Sequence, residues 1–216
     1  MTIGTELPWP DDDGGAGAGD EAGAGARAGA GAGWQWQGRP LSWRRTGESL
    51  RIEAPGGADL YALPGSYEAD SLPLLQRTVT GDFTVWTRIS VRGSALGDAG
   101  GLSLHGEDGW LKVCVERTKA GGWAVVTVLS RPLSDEAMGP ALDGPTADLL
   151  LTRQGRRLAV LFRRSAREDW RFARTFPGFA APELRLGVFA QAPFSPSATA
   201  RFEPLRLSPV PLDDRR

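Results

Sequence analysis

Asp82-Phe83-Thr84-Val85-Trp86-Thr87-Arg88-Ile89-Ser90-Val91 sets Phe83, Val85, Ile89 and Val91 on odd positions and Thr84, Arg88 and Ser90 on even ones. Side chains of a strand point alternately to its two faces, so a period of two marks a strand with one buried side. Trp110-Leu111-Lys112-Val113-Cys114-Val115-Glu116 repeats the pattern. Further strand-like runs are Leu50–Glu53, Trp123–Ser130, Asp148–Arg153, Arg157–Arg164, Trp170–Phe176, Glu183–Gln191 and Ala198–Leu207. Turn chemistry separates them at Gly56-Gly57, Gly106–Gly109, Gly121-Gly122, Asp143-Gly144-Pro145, Gln154-Gly155 and Pro193–Pro196. No helical period is long enough to interrupt this order. Many short strands with regular turns predict an all-β sandwich of two antiparallel sheets, not βαβ units.

The rest of the chain bounds the function. Residues Gly14–Gly33 are nearly all Gly and Ala, a composition that opposes helix and offers little apolar surface. Residues 1–33 therefore read as a disordered tail, with Trp9 between Pro8 and Pro10 as a possible docking anchor. Residues 34–208 form the sandwich and 209–216 a short polar terminus. With 25 basic and 26 acidic residues, the net charge of −1 gives no pull toward nucleic acid or an anionic membrane. One cysteine, Cys114, excludes an intrachain disulfide, and one histidine, His105, leaves too few ligands for a protein-only zinc site. No metal or cofactor is expected. Glu107, Asp108 and Asp98 read as acidic turn residues rather than Ca²⁺ ligands. The first residues lack a basic and then apolar leader, and no apolar run approaches the ~18 residues of a membrane span, so the expected location is cytoplasmic.

The order of signatures resembles a known family. LRIEAPGGADLYALPGSYEADSLPLL (50–75) is followed by GDFTVWTRISV (81–91), GDAGGLSLHGEDGWLKVCVER (97–117), WAVVTVLSRPLSD (123–135) and LRLGVFAQAPFSPSATARFEPLRL (184–207). This is similar to a bacterial and fungal family of domains of unknown function in the concanavalin A-like lectin/glucanase superfamily, whose fungal members are described as regulators of enolase. The resemblance covers Trp34–Ser208 and implies a concanavalin A-like jelly roll. It also implies that the concave outer surface of one sheet is the ligand face. Three family features are altered here: Asp98-Ala99-Gly100-Gly101-Leu102 lacks a Gln, Ser134-Asp135-Glu136 lacks a Trp, and Tyr61 stands where the family has a Trp.

The hairpin around Gly106–Gly109 places that face. Pairing Leu104 with Leu111 sets Ser103 opposite Lys112. Leu102, Leu104, Leu111, Val113 and Val115 then point to the core, and Ser103, His105, Trp110, Lys112, Cys114 and Glu116 share the other side. A next strand over Trp123–Leu129 is expected to add Thr127 to the same side, with Trp123 near Glu116. Aromatic faces beside paired polar groups suit a sugar. The candidate ligand-binding set is Trp110, Lys112, Glu116, Ser103, Thr127, Trp123, Tyr61 and Asp98, walled by loops at Asp59–Asp70 and Arg131–Gly144. As an exposed pair, Lys112 and Glu116 would contribute under ~1 kcal/mol. Glycoside hydrolysis needs two carboxylates at set spacing. Lys112 and Cys114 occupy the positions where sandwich glucanases carry Glu-x-Asp-x-Glu, so no catalytic residue is assigned. The expected function is a non-catalytic module binding a glycan or related polyhydroxylated ligand. The alternatives are a cytosolic regulatory or adaptor protein that binds another protein, and a diverged glycoside hydrolase.

Overall fold

The computed structural model describes residues 4–11 and 33–212. In chain order the first strands are β1 (Thr5–Leu7), β2 (Gln35–Gln37), β3 (Ser42–Thr46), β4 (Ser49–Pro55), β5 (Leu60–Leu63) and β6 (Tyr67–Asp70). Next come β7 (Leu74–Thr80), β8 (Phe83–Arg92), β9 (Ala99–Gly106), β10 (Gly109–Arg117), β11 (Trp123–Ser130) and β12 (Ser134–Leu142). The last six are β13 (Thr146–Gln154), β14 (Arg157–Arg163), β15 (Arg171–Pro177), β16 (Glu183–Gln191), β17 (Ser197–Phe202) and β18 (Leu205–Ser208). No helix occurs among the described residues.

Two antiparallel sheets face one another. One runs β15-β14-β13-β8-β17-β4-β3, with β18 bridging β8 and β1; the other runs β12-β11-β10-β9-β16-β7-β2. Phe83, Val85 and Ile89 from β8 meet Leu102, Leu104, Val113 and Val115 from β9 and β10 in the core between them. The register joins Leu104 to Leu111 and Ser103 to Lys112, as the hairpin reading expects. Thr87 lies fully buried among these apolar neighbours, and its hydroxyl donates to the Glu203 carbonyl at 2.7 Å, satisfying a group that is costly to bury alone.

Three expectations are corrected by the fold. Residues 4–11 are not a tail: β1 pairs with β18, and Trp9, 2% exposed, packs 5.2 Å from Trp34 and 6.2 Å from Phe202. The indole supplies the apolar area that the Gly/Ala stretch lacks; residues 12–32 lie outside the described residues. At the other end, Val210 accepts a hydrogen bond from Thr84 and Leu212 donates one to Thr152, so order continues past 208. The supposed loops at 59–70 and 131–144 contain the β5–β6 hairpin and the edge strand β12.

Candidate functional site

The outer face of the seven-stranded sheet is half roofed. Leu60 and Tyr61 of the β5–β6 hairpin pack on Leu72, Leu74, Cys114, Val126, Val128 and Phe189, making a small second core. The hairpin is fastened at its base and along one side. Ser71 N–H donates to the Asp59 carbonyl at 3.0 Å, and Ala62 N–H donates to the Ser134 hydroxyl at 2.9 Å.

Under this roof the even residues of β10 form a buried polar chain. Lys112 is 2% exposed; its Nζ donates to Asp59 Oδ1 at 2.5 Å and to Gln191 Oε1 at 3.0 Å. Gln191 Nε2 donates to the Gly97 carbonyl at 2.8 Å and reaches Glu116 Oε2 at 3.4 Å, which Cys114 Sγ also approaches at 3.5 Å. Lys112 is therefore no surface charge: its partner is Asp59 rather than Glu116, and the pair anchors the hairpin. Glu116, 8% exposed, has its carboxyl pushed up to about 7 by burial, against the pull of Lys112 and with added repulsion from Glu136. Burial likewise pushes the Cys114 thiol well up, so it is no ready nucleophile. Above them Tyr61, Tyr67 and exposed Phe194 form a string with centroids 5.6 Å apart. Burial, then the Asp59 charge, pushes the Tyr67 phenol to about 12.

Beyond the hairpin the same face continues across β9, β16 and β7. Lys112 pairs with Ser103, Ser103 with Gly187, Gly187 with Gln76, and Gln76 with Gln35, so all five share one row. Trp110, His105, Arg185 and Thr78 form the next row. A Cβ at Gly187 would lie 2.5 Å from Ser103 Oγ and 2.9 Å from Gln76 Cγ, so glycine lets the two side chains converge over bare backbone. Ser103 Oγ, Gln76 Nε2 and His105 Nε2 are buried without a partner among the described residues. The His105 imidazole is held down at about 4, by burial first and by Arg185 second, and stays neutral at physiological pH. Gln76, Gln191 and Gly187 went unremarked in sequence. The available signal was Lys112 itself, since a lysine between Leu111 and Val113 needs a polar partner wherever it is buried.

Of the sequence-derived set, Lys112, Glu116, Ser103, Tyr61 and Trp110 gather on this face. Trp110 flanks it with its ring centroid 6.0 Å from Lys112 Nζ. Three residues are elsewhere. Lys112 faces Val128, and Thr127 faces Val113, which turns Thr127 inward to meet Arg174 Nη1 at 3.2 Å. Trp123 pairs with Arg117, on the same inner side, and packs against the main core. The five-residue connection Thr118–Gly122 shifts the register by one from the expected alignment, and a one-residue slip exchanges the faces. Asp98 is fully buried as a loop brace: Oδ2 accepts from Ser94 N–H at 2.7 Å and Ala95 N–H at 2.9 Å, and Oδ1 from Ser195 at 2.8 Å.

Two antiparallel sheets packed face to face, one with a partly roofed outer face, define an all-β sandwich. The chain belongs to the family described as protein of unknown function (DUF1349), whose model matches residues 36–210. Among solved structures it is similar to a functionally unknown protein from Saccharomyces cerevisiae, with TM-score 0.76 and 20% identity over 83% of this chain and 97% of that one. It is also similar to the GH43 protein BlXynB from Bacillus licheniformis (TM-score 0.66, 17% identity), covering 84% of this chain but 38% of that one. An alginate lyase from Klebsiella pneumoniae gives TM-score 0.54 and 13% identity, covering 77% of this chain and 83% of that one. These likenesses concern the fold. No curated protein matches the chain in sequence.

Proposed function

We propose that this protein is a non-catalytic binding module that takes a glycan, or a similarly hydroxyl-rich ligand, on the outer face of the seven-stranded sheet. The carrying observation is the row in which Ser103 Oγ and Gln76 Nε2 converge over Gly187, next to His105 Nε2, all three buried and, among the described residues, unpartnered. Leaving a buried polar group unpaired costs about 1–3 kcal/mol. The three atoms are closed off from solvent in this structure, so the reading requires the Gln76 side chain to swing outward; a ligand hydroxyl, able both to donate and to accept, then recovers that cost. Trp110 at the flank offers the apolar face that a sugar ring stacks on. Lys112 and Glu116, which the sequence reading set against the ligand, serve here as the closed end that fixes the hairpin wall. The GH43 protein and the alginate lyase among the structural neighbours agree with a saccharide ligand without assigning one. The test is an oligosaccharide array followed by titration calorimetry on wild type, Ser103→Ala and Gln76→Leu. Both substitutions should weaken a bound oligosaccharide about tenfold while leaving Tm unchanged or higher. Undiminished affinity in both variants, or no saccharide bound at all, would sink the reading.

The second reading, an adaptor for another protein, is favoured by β12. This strand is an outer edge of its sheet and carries Met138, 59% exposed, with Leu133 exposed just before it. Edge strands with apolar side chains pair readily with extended partners. Met138→Arg would abolish such a contact and leave sugar binding untouched.

A further inference from the structure

At the far margin of the outer face the seven-stranded sheet stops short. Strand β2 pairs with β7 only from Gln35–Gln76 to Gln37–Leu74, because Trp34 turns into the core and donates its indole N–H to the Pro8 carbonyl at 2.9 Å. Beyond Gln35, β7 runs on with no edge partner among the described residues, and a cavity of about 270 Å³ opens there. Gln35, Gln76, Arg77, Thr78 and Arg185 line it, with no acidic residue among the described residues of its walls. Arg185 is exposed, and Arg77 is stacked 5.5 Å over the Trp34 ring with its Nε buried and, among the described residues, unpartnered. Among the described residues neither arginine has a carboxylate within ion-pair distance. Elsewhere the exposed Arg201 meets Glu203 and the half-buried Arg174 meets Asp135.

We propose that this edge cavity seats the oxyanion of an acidic saccharide, with Arg185 as the charged contact and Gln76 as the hinge between the anion seat and the hydroxyl-binding row. The proposal rests on the saccharide reading above and narrows it to sugars bearing a carboxylate or sulfate. Gln76 belongs to both places, since it closes the Ser103–Gly187 row and lines the cavity, so one ring placed over it presents hydroxyls to one and an acid group to the other. The guanidinium is planar, permanently charged and forked, which matches an oxyanion's paired acceptors. Arg77, held by its indole stack, would add positive potential from the cavity wall. At about 270 Å³ the cavity lies just below the usual range of about 300–1,000 Å³ for small-molecule sites, which suits a single ring rather than a long chain segment.

The probe pair is tetragalacturonate and its fully methyl-esterified form, which lacks the four charges and carries four ester methyls instead, titrated into full-length wild type and Arg185→Gln. The acid should bind at least tenfold more tightly than the ester, lose that advantage in Arg185→Gln, and weaken with rising salt, while Tm is the same in both proteins. A sulfated disaccharide that competes for the seat in place of the uronate supports it and identifies the anion's source. Equal affinity for acid and ester, indifferent to Arg185, overturns the anion seat and leaves the saccharide reading standing. No binding by either form, or by the neutral oligosaccharides of the array, overturns both.

Discussion

Lys112 Nζ lies 2.5 Å from Asp59 Oδ1 with both side chains buried, so a central strand of one sheet is tied by charge to the hairpin that roofs it. Charge in such a place contributes little net stability when paired, yet is expensive once its partner is gone. Lys112→Ala should therefore cost about 3–5 kcal/mol in urea denaturation, where an exposed pair would cost under ~1. Asp59→Leu combined with Lys112→Met should recover most of the loss, because two apolar side chains need no partner. A single-variant loss below ~1 kcal/mol would show that the pair opens in solution.

Trp9 carries the second prediction. It fills a slot between Trp34 and Phe202, and β1 adds only three residues to β18, so the indole rather than the strand secures the segment. Trp9→Ala should cost about 3–5 kcal/mol and lower Tm by on the order of 10 °C. Glu6→Ala, which breaks an exposed contact to Arg206, should shift Tm hardly at all. Equal behaviour of the two variants would mean that the segment does not dock.

Asp98 was expected to touch ligand and instead braces the turn before β9. Its carboxylate satisfies two backbone N–H groups and a serine hydroxyl, and a Cβ on Gly93 would meet Asp98 Cβ at 2.4 Å. Asp98→Ala should cost about 2–4 kcal/mol by orphaning those donors. Saccharide affinity, measured below the variant's Tm, should not change. A selective loss of affinity with intact stability would return Asp98 to the binding site.

What could be read from sequence follows from how each strand is buried. From Leu111 to Glu116 in β10 the odd residues are apolar and the even ones polar or small, so its phase is legible, and Leu111, Val113 and Val115 do point between the sheets. In β11, Ala124, Val126 and Val128 lie under the hairpin while Val125 enters the main core. A strand buried on both faces carries no alternation to fix its phase, which is why Thr127 and Trp123 were assigned to the wrong side. Lys112 meets Asp59 and Gln191 across 53 and 79 residues, separations that no local pattern encodes. Gln76 and Gly187 carry no local signal of a site, and only the sheet order brings them beside Ser103.

The last prediction concerns pH and sets two buried groups against each other. Glu116 titrates near 7 in the folded protein against 4.5 for an ordinary Glu, so the folded state holds a proton there that the unfolded state releases. Its contribution to stability is complete below pH 4.5 and is lost as pH rises through 7. His105 titrates near 4 against 6.5, so the unfolded state takes up a proton that the folded state refuses. Its contribution is present above pH 6.5 and is lost as pH falls through 4. Between 4.5 and 6.5 the two slopes are opposite, each about 1.4 kcal/mol per pH unit, and they cancel in the wild type. Glu116→Gln removes one of them. Relative to wild type, its unfolding free energy should therefore rise from pH 4.5 to 7 by on the order of 3 kcal/mol and then level off. Chemical denaturation at half-unit pH steps measures this directly. A difference between the two proteins that stays constant across that window would mean Glu116 is hydrated in solution, with its carboxyl outside the buried chain that runs from Asp59 through Lys112 and Gln191.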